Sequence, residues 1–139
     1  MKKKLNEIIK SSKVVVHQRR YAYLQVKKEA IKNPSTKINN HFLITKDDDE
    51  ITIVTEEKNI SCVNYDKNVK WFKLIEIKCS LPFLAKGFLA KITKVISDKD
   101  LNVLVVSTFS KDYILVREET YEIALSALRK VGFVVESEK

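Results

Sequence analysis

Few residue types in this chain can carry chemistry: 139 residues include two histidines, two cysteines and two glycines. The stretch that gathers the rest around it is LPFLAKGFLAKITKVISDKDLNVLVVSTFSKDYILVR, residues 81–117. Its spacing reads as a loop, a helix and a hairpin that meet at the loop. Gly87 stands where the helix starts, and Asp112 closes the polar turn of the hairpin. A glycine lets the backbone turn tightly and come close to a bound molecule. An aspartate in the turn supplies a carboxylate. A site is expected where these two residues meet.

The remaining candidates point away from catalysis. His17 and His41 have no Cys or Ser at a recognisable nucleophile spacing, and a lone His in a strand is usually structural. Cys62 and Cys79 show neither metal spacing nor a CxxC pattern. Cys79 ends an apolar-alternating run and reads as a buried thiol. The acidic run KDDDE (46–50) lacks the spaced carboxylates and the glycine of a calcium loop, so a solvated turn is expected. A phosphate loop of the acylphosphatase kind needs several glycines and an arginine, and SLPFLAKGF has one glycine and no arginine. No enzyme activity, cofactor or metal is expected.

Charge and composition describe a globular chain. Apolar residues make up 45% and charged residues 32%, and no apolar run approaches the ~20 residues of a membrane-spanning helix. The start, MKKKLNEIIK, has the basic opening of a signal peptide without its apolar core, so a cytosolic protein without disulfides is expected. The net charge of +8 sits wholly in residues 1–32, where ten Lys or Arg face Glu7 and Glu29. That basic third could meet nucleic acid, with Tyr21 and Tyr23 as stacking rings beside Arg19 and Arg20. Only four of the 26 basic residues are arginine, however, and a solvated lysine-rich face is the simpler reading.

The elements that must position the site follow from periodicity. Residues 1–12 read as a short helix or basic tail. KVVVHQRRYAYLQVKK (13–28) reads as one strand, or two joined by a tight turn, with Ala22, Leu24 and Val26 on one face and Tyr21, Tyr23 and Gln25 on the other. Residues 29–40 form a loop around Pro34. Strands are expected at 41–45 and 51–57, flanking the acidic turn, and residues 58–69 read as a linker. Residues 71–79 alternate again as a strand, with Phe72, Leu74 and Glu76 sharing a face. Phe88, Leu89, Ile92, Val95 and Ile96 form one helical stripe. NVLVVSTF (102–109) is apolar enough to predict a strand buried on most sides, and 112–116 return as its hairpin partner. A second helix is expected to start at an N-cap, Thr120, and to bury Tyr121, Ala124, Leu125, Leu128 and Val131. Gly132 is placed as its left-handed stop, before a last strand at 133–135.

The order over residues 70–136 is β-α-β-β-α-β. The fold class is therefore α+β, with a ferredoxin-like unit in the C-terminal half. The N-terminal half is strand-rich with weak helices. Two domains are expected, 1–69 and 70–139.

The run GFLAKITKVISDKDLNVLVVSTFSKDYILV resembles ACT domains, the small regulatory modules of amino-acid metabolism. VSTFSKDYILVREE (106–119) is its most telling part, and DEITIVTEE (49–57) also fits. More narrowly, the chain is similar to the type found in free-standing proteins and in the CASTOR arginine sensors, where two ACT-like halves share one chain. The resemblance implies that the first half is a degenerate ACT-like unit. It also implies a non-catalytic sensor or regulatory module that binds an amino acid or similar small zwitterion, as a homodimer. The ligand contacts it implies are Gly87, Phe88, Thr108, Phe109 and Asp112. The N–H groups of Phe88 and Leu89 would meet an α-carboxylate at the helix N-terminus, and Asp112 would accept from an ammonium. Lys86 departs from the family pattern. Each residue also has a plain structural role: Gly87 as a helix start, Asp112 as a turn stabiliser, Thr108 and Phe109 as strand residues.

Overall fold

The computed structural model describes residues 2–26, 41–63, 65, 69–79 and 87–138. The loop expected at 29–40 and Lys86 lie outside the described residues. The elements are α1 (Lys2–Ser11), β1 (Lys13–Val26), β2 (Leu43–Lys46), β3 (Ile51–Glu56), a 3-10 turn (Glu57–Cys62), β4 (Lys70–Lys78), α2 (Phe88–Ser97), β5 (Leu104–Ser107), β6 (Asp112–Arg117), α3 (Tyr121–Lys130) and β7 (Val134–Ser137). The C-terminal half is thus the ferredoxin-like β-α-β-β-α-β unit in an α+β chain. By packing the chain divides into two units, Met1–Gln18 with Lys73–Lys139, and Arg19–Phe72. The division differs from a cut at 69/70 because the first 18 residues pack with the C-terminal half.

In the larger unit the strands run β7-β1-β4-β6-β5. The start of β1 pairs in parallel with β7, Val14 opposite Val135 and Val16 opposite Ser137. The first strand of the chain therefore lies between the first and last strands of the ferredoxin-like unit. β5 and β6 form an antiparallel hairpin with Ser107 opposite Asp112. One face of this sheet carries Val14, Val16, Ile75, Ile77, Ile114 and Val116, which join Ile92 and Ile96 of α2 and Leu128 of α3 in one core. Each such buried side chain contributes about 1.5–3 kcal/mol of transfer free energy. α1 is part of this core, with Ile9 buried and Leu5 and Ile8 packed against it, the i, i+3, i+4 spacing of an amphipathic helix.

α2 begins at Gly87, whose φ is +79°, and buries Phe88, Ile92 and Ile96 on one stripe. α3 buries Ala124, Leu125, Ala127 and Leu128. Its end is a Schellman motif: Gly132 (φ +106°) donates to Arg129 O and Phe133 to Leu128 O, both at 3.1 Å. Three expectations need correction here. Thr120 occupies the N-cap position, but its side chain makes no capping hydrogen bond. Val131, expected in the buried stripe, is 38% exposed. The strand expected to be buried over 102–109 is four residues long, ends the strand order and leaves Val105 42% exposed, because an apolar run does not reveal which strand has no neighbour.

In the smaller unit β3 pairs antiparallel with both β1 and β2. Ala22, Leu24 and Val26 pack with Ile51, Ile53 and Val63, so residues 13–26 form one strand with the predicted alternation. The acidic run makes the β2–β3 turn. Asp47 Oδ1 accepts the N–H groups of Asp49 and Glu50, both at 2.8 Å.

Candidate ligand-binding site

The face of each strand decides which groups can meet. Ile75 and Ile77 point into the core under α2 and α3, so Glu76 and Lys78 point to the opposite face of the sheet. Val14 and Val16 do the same on β1, which sends Lys13 and His17 to that opposite face. Asp112 precedes Ile114 by two residues and shares the helix-bearing face with it.

A cavity of about 410 Å³ lies in the larger unit where β4 ends, β1 begins and the β5–β6 hairpin turns. Its lining includes Ser11, Lys13, Glu76, Lys78, Cys79 and Lys111. Glu76 is the most buried charge there, 8% exposed. Its carboxylate stands 3.7 Å from His17 Nε2 and 4.0 Å from Lys111 Nζ, both beyond hydrogen-bond distance. On its other side His17 meets Glu138 Oε2 at 2.7 Å through Nδ1. Lys13 pairs with Glu136 at 3.6 Å, half in solvent. Cys79 is a free thiol at the edge of the core. The arrangement offers ammonium groups, hydroxyls and one carboxylate around a space large enough for a small metabolite. Among the described residues, no group of three or more His, Cys, Asp and Glu is arranged to hold a metal ion.

The residues singled out from sequence lie beside this cavity in the chain without lining it among the described residues. Gly87 is exposed at the start of α2, and a Cβ built there meets no described residue within 4 Å. Phe88 is buried with its ring 5.8 Å from that of Phe133, which leaves only its backbone for a ligand. Leu89 is half-buried. Thr108 Oγ1 accepts the Lys111 N–H at 3.1 Å and so braces the hairpin. Phe109 is 89% exposed at the turn. Asp112 Oδ1 accepts from Ser107 Oγ at 2.6 Å. Ser110 and Lys111, between Phe109 and Asp112, do line the cavity. Sequence reasoning passed over Glu76, Lys78 and Lys111. The signal for Glu76 was present, a lone carboxylate inside the apolar run LIEI, which needs a cation near it once buried.

The basic third offers less to nucleic acid than its charge suggests. Arg19 and Arg20 pair with Glu56 and Glu57 at 3.1 and 3.2 Å. Arg20 also lies 3.8 Å above the ring of Trp71. Tyr21 is buried and its hydroxyl reaches Glu56 at 3.3 Å. Burial works against ionisation of Glu56, but the Arg19 hydrogen bond and the charge of Lys58 together outweigh it and hold the carboxyl below its usual range.

Comparison with known proteins agrees with the fold. Residues 70–130 match the ACT domain family. Among curated proteins no match is found. A Vibrio cholerae protein of unknown function superimposes with a TM-score of 0.74 at 18% identity, over 94% of this chain and 97% of that one. An Agrobacterium tumefaciens protein gives 0.69 at 22% identity, over 92% and 94%. The regulatory subunit of aspartate kinase from Thermus thermophilus, in its ligand-free form, gives 0.58 at 8% identity, over 88% and 98%. The family match covers 61 of the 139 residues, and the likeness to the solved structures extends the same fold over nearly the whole chain.

Proposed function

We propose that this chain is a non-catalytic regulatory module that binds an amino acid or similar small zwitterion. The observation that carries this reading is the cavity at the hairpin end of the larger unit. Its lining includes the nearly buried Glu76 together with Lys13, Lys78 and Lys111, and the Lys111 ammonium stands 4.0 Å from the Glu76 carboxylate. Charges of both signs around one small space complement a zwitterion, whose ammonium and carboxylate each form a charge-assisted hydrogen bond. The ACT match over 70–130 and the likeness to an aspartate kinase regulatory subunit support the same reading.

The exposed N-terminus of α2 at Gly87, with the N–H groups of Phe88 and Leu89, is a second point at which a carboxylate is held in this proposal. Asp112, with Thr108 and Phe109, forms the hairpin wall beside it. Residues 1–69 are a degenerate ACT-like half in a tandem arrangement similar to the CASTOR sensors, and the working form is a homodimer in the cytosol. Binding is read by what it does to stability, since a ligand that prefers the folded state raises Tm by mass action. A thermal-shift screen of the twenty amino acids tests this: at least one raises Tm in a concentration-dependent way. A flat response across all of them at millimolar concentration removes the proposal.

A further inference from the structure

Resting on that reading, we infer that a ligand bound at Glu76 is signalled to the end of β7 through His17. One imidazole joins the two places. His17 Nδ1 donates to Glu138 Oε2 at 2.7 Å, and its Nε2 stands 3.7 Å from the carboxylate of Glu76, which lines the cavity. The tie to Glu138 is one of those that hold the end of β7 to β1. The Glu138 N–H donates to Val16 O at 2.8 Å, and Gln18 Nε2 donates to Glu138 O at 2.6 Å. All of these residues belong to the larger unit.

A shared cation makes the two carboxylates depend on each other. The ionised Glu138 carboxylate only accepts, so Nδ1 carries a hydrogen whether the ring is neutral or charged. A second proton, on Nε2, sets an imidazolium between Glu138 and Glu76 and makes the Glu138 tie a charge-assisted one. The other described groups that face this cluster are Tyr113 on β6, its ring centroid 6.4 Å from that of His17, and Lys111, 4.0 Å from the second Glu76 oxygen. Lys13, on the same face of β1, is paired with Glu136. An α-ammonium in hydrogen-bond contact with Glu76 comes closer than Lys111 does and sets a like charge beside His17. The imidazolium then gives its Nε2 proton to solvent, and Glu138 keeps a neutral donor only. Binding therefore releases a proton and loosens the end of β7. The coupling is reciprocal, so a proton on His17 opposes binding by the same factor.

Calorimetric titration of the full chain with each of the twenty common L-amino acids tests this. It is run in two buffers of different ionisation enthalpy at about pH 6, and again at about pH 8, across the range where imidazoles change charge. The amino acid that binds tightest releases a proton at pH 6 and binds severalfold more tightly at pH 8. At pH 6 it also speeds hydrogen exchange of the Glu138 amide roughly threefold or more. His17→Gln still binds it but loses the proton release and the pH dependence. Glu138→Gln, on a side chain 39% exposed, binds it severalfold more tightly than the parent at pH 6 and equally at pH 8. A purely structural role for Glu138 would not produce that gain. Proton release that persists in His17→Gln, or a Glu138 amide that exchanges at one rate with and without the amino acid, overturns the inference and leaves the binding reading standing. If none of the twenty binds, the binding reading falls and the coupling with it.

Discussion

Ser107 donates its hydroxyl to the carboxylate of Asp112 at 2.6 Å, across the last rung of the β5–β6 hairpin. The pair locks the turn that carries Ser110 and Lys111 into the cavity wall. One oxygen of Asp112 is thereby engaged. Asp112→Ala is expected to lower the stability of the ligand-free protein by about 1 kcal/mol, the worth of one exposed hydrogen bond. In the proposed site it also reduces the ligand-induced rise in Tm, because the turn that carries Ser110 and Lys111 loosens. Denaturation with and without amino acid separates the two effects. A variant that keeps its full ligand response leaves Asp112 a hairpin residue only.

Gly87 tests backbone strain alone. Its φ of +79° lies in the left-handed region, and an added Cβ meets no described residue within 4 Å. Gly87→Ala is expected to cost about 1–2 kcal/mol, Gly87→Asn less and Gly87→Val more, since a β-branched residue tolerates positive φ least. Urea denaturation ranks the three. Equal losses would mean that some neighbour, and not φ, sets the cost.

His41 gives the smaller unit a pH dependence. Its Nδ1 lies 2.9 Å from Thr55 Oγ1, and burial lowers its pKa below the ordinary 6.5. A lowered folded-state value means that the folded chain binds fewer protons than the unfolded chain. The stability tied to neutral His41 is therefore fully present above pH 6.5 and is lost as pH falls through the folded value. His41→Gln is expected to flatten the stability profile between pH 7 and 5. A profile as steep as that of the parent would assign the dependence to other groups.

Ile92 reports on the core under α2. It is fully buried among side chains from the sheet and both helices of the ferredoxin-like unit. Ile92→Ala is expected to cost about 2–5 kcal/mol through lost transfer energy and the cavity left behind. Thermal unfolding followed by circular dichroism measures it. A loss below 1 kcal/mol would contradict the packing described for α2.

What could be read in the sequence was what is local. The stripe from Phe88 to Ile96 and the order of elements over 70–136 follow from periodicity over a few turns, and the positive φ of Gly87 and Gly132 follows from where glycine is tolerated. The parallel pairing of Val14 with Val135 joins residues over a hundred positions apart, and no local pattern records it. The same limit applies to β5. Its apolar residues suggested a buried strand, but only the strand order shows that it is an edge. The cavity was least legible. Ser11 is the end of a helix, Lys13 one of many lysines, and Lys111 a turn residue, and pairing of distant strands alone makes them neighbours of Glu76. The six site residues came from one loop and one hairpin because those are contiguous in sequence.

Backbone amide shifts in a labelled sample titrated with the tightest-binding amino acid locate the ligand most directly. Changes should concentrate at Ser11, Lys13, residues 76–79 and the turn at Ser110 and Lys111, with a second group at Gly87 to Leu89. Changes confined to residues 19–72, or a spectrum that does not move at saturating ligand, would contradict a binding site at the hairpin end of the ferredoxin-like unit.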